Sequence, residues 1–155
     1  MTALEIRAVD YSEPVAVGLV EAALADLSGR YGGPGDGTPV DPAEFAPPEG
    51  AFLVAWLDGR PAGCGGWRTY HGDPAVAEIK RMFTVSGARG RGVATALLRA
   101  LEDSARRAGR KRIILETGDR QPEAIALYRK AGYVRIPDFG FYKDAPGVHS
   151  FGRDL

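Results

Sequence analysis

Apolar and polar positions alternate over residues 4–9, "LEIRAV", with the period of two that marks a short strand. The period then lengthens. Val15, Leu19, Ala23 and Leu27 recur every four positions, with Ala16, Val20 and Leu24 beside them, which makes one apolar stripe on an amphipathic helix. Ser12 offers an N-cap side chain and Pro14 fits the first turn, so the helix is expected to begin near Glu13 and to end within residues 29–31. Residues 32–50, "GGPGDGTPVDPAEFAPPEG", hold too much Gly and Pro for regular structure, apart from one turn over 41–45. A loop of that length inside a compact domain is usually functional or mobile.

The continuous apolar run "AFLVAWL", 51–57, reads as a buried strand, and Asp58-Gly59 as a hairpin turn. The return strand is "PAGCGGWRTY", 61–70, whose glycines imply a bulge or close packing. After a turn at 71–74, "AEIKRMFTV", 77–85, is the next strand. Val93, Leu97, Leu101, Ala105 and Ala108 then mark the buried face of a helix that Gly109 ends. "RIILE", 112–116, is a strand with an apolar centre; 122–131 is a helix with Pro122 at its first position and Gly132 just past its end. Residues 133–136 and 149–153 are the last strands, around the loop "PDFGFYKDAPG". The order β-α-β-β-β-α-β-α-β-β describes a single mixed α/β domain over 1–155, without repeats or a linker.

Composition narrows the function classes. A chain of 155 residues, 45% hydrophobic, suits one domain with one core. Twenty basic residues balance twenty acidic ones, so no nucleic acid or other polyanion is expected as a partner. Cys64 is the one cysteine, which excludes an internal disulfide and a thiolate zinc cage. His71 and His149 lack metal-ligand spacing, so no metal is expected. The first residues, "MTALEIRAVDYSEP", carry acids where a signal peptide would be basic and then apolar. No apolar run approaches the ~20 residues that span a bilayer. A soluble, cytoplasmic protein is the resulting expectation.

The stretch "SGARGRGVATALLRALEDSARRAG", 86–109, joins a strand to a helix through alternating Arg and Gly. It offers the helix no Ser, Thr, Asp or Asn as a cap. A helix N-terminus carries partial positive charge and unpaired N–H groups, and glycines let the backbone approach an anion closely. With Arg89 and Arg91 added, the segment reads as a phosphate or pyrophosphate cradle; the plain alternative is a basic turn on a solvated surface. A P-loop is excluded because no Lys follows Gly92. A dinucleotide fingerprint lacks its third glycine, and Glu78, Lys80 and Arg81 make the preceding strand too polar for a doubly wound sheet.

Arg89-Gly90-Arg91-Gly92-Val93-Ala94 fits the [QR]-x-x-G-x-[GA] signature of the GNAT N-acetyltransferases, which this sequence resembles. "AEIKRMFTV" before it, "LETG" after the helix and "AIALYRKAGY" at 124–133 extend the resemblance over nearly the whole chain. The resemblance implies a central, mostly antiparallel, twisted sheet of about seven strands flanked by helices. It implies acetyl-coenzyme A as cosubstrate, with pyrophosphate on Arg89, Gly90, Arg91, Gly92, Val93, Ala94 and Thr95. The pantetheine arm would pair with the backbone of Met82, Phe83, Thr84 and Val85. Gln121 stands where many members have Asn, and with Ala124 and Tyr128 it would face the cofactor. Many members dimerise, so a homodimer is compatible, although no feature of the sequence requires one.

Acetyl transfer to an amine needs a neutral nucleophile and a proton for the departing thiolate. Leu127-Tyr128-Arg129-Lys130-Ala131-Gly132-Tyr133 matches the stretch whose Tyr is often the family's general acid, which nominates Tyr128. Glu78, eleven positions before Arg89, is the candidate base, acting directly or through water, with Glu116 as second choice. Either Glu78 carries this role or it is a strand-edge carboxylate paired with Lys80 or Arg112. Lys80 and Arg81 join Arg89 and Arg91 as cations that could reach the nucleotide phosphates. Cys64 has no His partner for an acyl-cysteine route. Trp67, Tyr70, the first helix, residues 32–50 and residues 139–142 are candidate walls for the acceptor.

The function expected is transfer of acetyl from acetyl-coenzyme A to a primary amine of a small molecule (amino acid, polyamine, amino sugar or antibiotic) by direct attack in a ternary complex. The alternatives are a non-catalytic acyl-coenzyme A sensor, a peptide or lysine acetyltransferase, and a dinucleotide oxidoreductase using the same loop.

Overall fold

The apolar run near residue 50 belongs to a strand buried on both faces. In the computed structural model, which describes residues 3–155, β2 (Gly50–Leu57) lies between β1 (Leu4–Val9) and β3 (Arg60–Thr69), antiparallel to both. Leu53, Ala55 and Leu57 point to one face of the sheet, and Phe52 and Val54 to the other. Two buried faces leave no polar position to alternate with, so the run is continuous.

The sheet continues through β4 (Val76–Thr84), β5 (Arg112–Gly118), β6 (Val134–Arg135) and β7 (Val148–Asp154) in the order β1-β2-β3-β4-β5-β7-β6. The β4·β5 pair is parallel and the others are antiparallel. This is the mostly antiparallel seven-stranded sheet expected. The strand β7 slots between β5 and β6, an order that adjacency in sequence does not reveal.

Helix α1 (Pro14–Tyr31) packs Ala16, Leu19 and Val20 on one face of the sheet, against Phe45, Phe52, Val54 and Cys64. Helix α2 (Val93–Arg107) covers the other face with Val93, Leu97, Leu98, Leu101 and Ala105, each at most 1% exposed. Truncating one of these leucines to Ala would cost about 2–5 kcal/mol. Helix α3 (Pro122–Lys130) adds Tyr128 to the α2 side. The start of α1 differs from expectation. Ser12 does not cap it, because the N-cap position falls one residue later, on Glu13, whose side chain makes no cap; the Ser12 hydroxyl donates instead to Asp10 Oδ1 at 2.5 Å.

The expected bulge lies at β3·β4. Cys64 pairs with Phe83 and Gly66 with Lys80, so Gly65 opposes both Arg81 and Met82. Arg81 takes the extra position at φ 62°, in the left-handed region. Such a conformation costs an arginine about 1–3 kcal/mol and points to a constraint imposed by the surroundings.

Candidate functional site

The parallel ladder between β4 and β5 is short. Val76, Ala77 and Glu78 pair with Arg112, Ile113 and Ile114, and the two strands then part. β4 runs on to Thr84 and β5 to Gly118, and a cleft of about 230 Å³ opens between them. Ala23, Asp26, Leu27 and Tyr31 of α1 wall one side and Tyr128 of α3 another; Met82, Phe83, Leu115 and Gln121 also line it.

The N-terminus of α2 follows the cleft strand β4 in the chain. A 3₁₀ turn, Ser86–Ala88, leads from β4 to Gly90 and Gly92, at φ 76° and 82°. Gly92 is the N-cap and no side chain caps the helix. The left-handed dihedrals need glycine, and the uncapped start leaves positive helix-end charge for an anion. Arg89 and Arg91 flank it, half-exposed. Arg89 Nη2 lies 3.5 Å from Asp26 and Arg91 Nη2 lies 3.9 Å from Asp58. Across the cleft, Gln121 Oε1 accepts hydrogen bonds from Thr117 Oγ1 at 3.3 Å and Tyr31 Oη at 3.4 Å.

Tyr128 is the buried residue of α3. Its ring meets Tyr133 edge-on at 5.6 Å and Phe151 at 6.3 Å. Its hydroxyl makes no hydrogen bond to any other described residue, and burial pushes the phenol pKa up. It therefore holds its proton until a stronger base arrives.

The far end of the cleft is charged. Continuing the β4·β5 register past Glu78↔Ile114 would set Lys80 opposite Glu116, the first same-face positions beyond the split. Lys80 Nζ lies 4.0 Å from Glu116 Oε1. Glu116 Oε2 accepts the Tyr142 N–H at 3.1 Å, while its Oε1 is buried without a hydrogen bond among the described residues. Burial raises the Glu116 carboxyl above its ordinary value, against the opposing pull of Lys80 and the Tyr142 N–H. Asp36, from the Gly/Pro-rich loop, has its carboxylate ion-paired to Arg81. It also accepts from Thr38 Oγ1 at 2.6 Å and Tyr142 Oη at 2.7 Å. Burial works to raise the Asp36 carboxyl, but Lys80, Thr38, Tyr142 and Arg81 together outweigh it and hold the carboxyl below its usual range.

Several residues sit elsewhere than the sequence implied. Glu78 is buried and receives Arg68 Nε at 3.2 Å, and it is not among the residues lining the cleft. The reason is register: at Glu78 the strands are still paired, and the cleft begins beyond it. The strand-edge alternative survives in altered form, since the partner is Arg68, with Lys80 at 3.9 Å. Lys80 and Arg81 do not serve the α2 loop; they bind Thr38 and Asp36 of the 32–50 loop. Trp67 is a core residue donating Nε1 to Ser104 Oγ at 2.9 Å, and Tyr70 lies outside the cleft, its hydroxyl donating to the Phe139 carbonyl at 3.5 Å and its ring meeting Phe139 edge-on at 5.5 Å. Cys64 is fully buried, donates Sγ to the Arg81 carbonyl at 3.3 Å, and has its thiol pushed up to about 12 by burial. The roles of Asp36, Thr38 and Tyr142 were not read from the sequence. The sequence marked the segments that carry them, 32–50 and 139–142, as candidate acceptor walls but did not single out these residues.

A model of the acetyltransferase (GNAT) family matches residues 20–133. An IAA acetyltransferase of Azospirillum brasilense is 40% identical over 107 residues, 69% of this chain and 69% of that protein. An uncharacterized N-acetyltransferase of Escherichia coli is 33% identical over 93 residues, 59% of this chain and 56% of the relative. A crystal structure of a Klebsiella pneumoniae protein superposes with a TM-score of 0.81 at 26% identity, covering 98% of this chain and 97% of its own. A Staphylococcus aureus acetyltransferase of the GNAT family shares the fold, with a TM-score of 0.73 at 18% identity over 99% of both chains. No helix among the described residues is long and apolar enough to cross a membrane. The splayed strands, the uncapped glycine turn and the family match agree: the chain belongs to the GNAT acetyltransferase family, whose members use acetyl-coenzyme A as cosubstrate.

Proposed function

We propose that this chain acetylates a primary amine of a small molecule by direct attack in a ternary complex. The observation that carries the reading is one cleft, opened by the β4/β5 split, that holds both the free Tyr128 hydroxyl and the Glu116 carboxyl. The uncapped start of α2 fits a pyrophosphate, so Arg89, Gly90, Arg91, Gly92, Val93, Ala94 and Thr95 would hold that group. Met82, Phe83, Thr84 and Val85 would pair with the pantetheine arm, and Gln121 and Ala124 would flank it. Acetyl-coenzyme A supplies an activated thioester.

Glu116 takes the place of Glu78 as the base. Its raised pKa narrows the gap to an ammonium, so it can accept one proton. The neutral nitrogen then forms its bond to the acetyl carbon as the carbon–sulfur bond breaks. Tyr128 gives its proton to the departing sulfur and regains one from the nitrogen. The proton on Glu116 returns to solvent. Burial weakens this phenol as an acid, so the transfer depends on the proton that the phenolate regains from the nitrogen; a binding module has no need of a phenol there.

The deciding experiment is thiol release from acetyl-coenzyme A across amino acids, polyamines, aminoglycosides and peptides. Release with one class supports the proposal. Tight cofactor binding without release for any amine would instead leave a sensor.

A further inference from the structure

At the acceptor end two buried groups retain unused hydrogen-bonding capacity of opposite sense. Glu116 Oε1 is an acceptor without a donor. Lys80, with its side chain 5% exposed, donates to Thr38 Oγ1 at 3.1 Å. An ammonium has three donors, and the Glu78 and Glu116 carboxylates, at 3.9 and 4.0 Å, stand beyond hydrogen-bond reach of it. The nearby charges are otherwise committed. Asp36 is taken by Arg81, Thr38 and Tyr142, and Glu78 by Arg68.

We infer that the acceptor carries a carboxylate beside its amine, as an α- or β-amino acid does, and that Lys80 binds this carboxylate while Glu116 meets the amine. The inference rests on the reading of Glu116 as the base. The 4.0 Å between Lys80 Nζ and Glu116 Oε1 suits an amine and a carboxylate on the same or the next carbon. Tyr142, tied to Asp36 and Glu116, narrows this end of the cleft and favours a compact head group. A polyamine or aminoglycoside would instead bring further ammonium groups against Lys80 and Arg81, with no uncommitted carboxylate except Glu116 to receive them. Like charges facing one another in a desolvated site oppose binding.

The test compares L-amino acids with their methyl esters and with the decarboxylated amines, read by kcat/KM for thiol release. It adds calorimetric titration of each compound into coenzyme A-saturated protein. A hydrogen bond to a charged group corresponds to a preference of ~10–100-fold for the free acid. In Lys80→Met the ratio of acid to ester should fall toward one, whatever the variant does to the rate itself. Lys80→Arg should restore part of it. Equal kcat/KM for acid and ester in the native protein, or a preference for spermidine or kanamycin, would overturn the inference, and neither result depends on any variant folding. If no amine releases thiol, the proposed acetyl transfer fails. Calorimetry still decides the inference in that case, since selective binding of the acids supports it and equal or absent binding overturns it.

Discussion

At the α2 end of the cleft the groups proposed to face a ligand come from the main chain: the left-handed Gly90 and Gly92, the uncapped helix start and the length of β4 not paired with β5, all within residues 82–95. At the opposite end they are side chains from separate segments, and Tyr142 Oη meets Asp36 across 106 positions of sequence. The first end is open and its cations are half-exposed; at the second, Lys80, Arg81 and Glu116 are each within 5% of full burial. A backbone-built site tolerates variation in side chains but not in dihedrals. A charged, buried site depends on each partner, because removing one leaves another unpaired at low dielectric.

That contrast can be broken by substitution, and the expected effects differ in size and in kind. The largest belongs to Glu116→Gln, which should lower kcat by ~10²–10⁴-fold with little change in acetyl-coenzyme A affinity. In the native protein kcat/KM should rise with pH through a carboxyl pKa above the ordinary range, and the variant should lose that limb. Stability moves the other way. The folded pKa of Glu116 is raised, so its favourable contribution is present below the unfolded value and is lost as pH rises through the folded one. At neutral pH Gln removes that cost and keeps an acceptor for the Tyr142 N–H, and Lys80 keeps Glu78 at 3.9 Å, so the variant should match the native Tm. A normal pH limb and native kcat in Glu116→Gln would end the base assignment.

Tyr128→Phe should slow thiol release by ~10²-fold while calorimetry finds cofactor affinity intact. Native turnover in this variant would mean that the phenol only packs against Tyr133 and Phe151.

Gly92→Val tests the backbone half. A Cβ at Gly92 would meet nothing within 4 Å, so the effect must come from φ 82° and not from a clash. A left-handed non-glycine residue costs about 1–2 kcal/mol, so the free turn should relax out of this shape, and acetyl-coenzyme A, which would have to restore it, should bind ~10-fold more weakly. The acid-to-ester preference of the acceptor should not change; if it did, the two ends would not be independent.

The smallest effect belongs to Arg89→Ala. Its side chain is 44% exposed and already shared with Asp26, so cofactor affinity should fall only a few-fold, and less at high salt. A loss as large as that of Gly92→Val would show that side-chain charge, and not the helix start, holds the phosphates.

The Arg89–Ala94 signature was legible because every group it needs is contiguous, and two glycines report left-handed dihedrals directly. The strands and helices were legible because burial imposes its period on the chain: "AFLVAWL" announces two covered faces, and Val93, Leu97 and Leu101 one. Ser12 misled, because the helix takes its N-cap position one residue later, at Glu13. The surroundings of Glu78 were hidden for a deeper reason. Arg68 is its cross-strand partner on β3, and the register of β3 against β4 is not written in β4 alone.

By itself the sequence determined the order of elements, the apolar faces that pack and the glycine turn that leaves a helix start without a side-chain cap. These follow from local propensity and from the periodicity of burial. The tertiary structure decided the rest: the split of β4 from β5 after Glu78↔Ile114, the insertion of β7 beside β5, and the meeting of Asp36, Lys80, Glu116 and Tyr142. Those outcomes turn on register between distant strands and on the pairing of buried charges. Both are properties of contacts between segments, and no single segment encodes them.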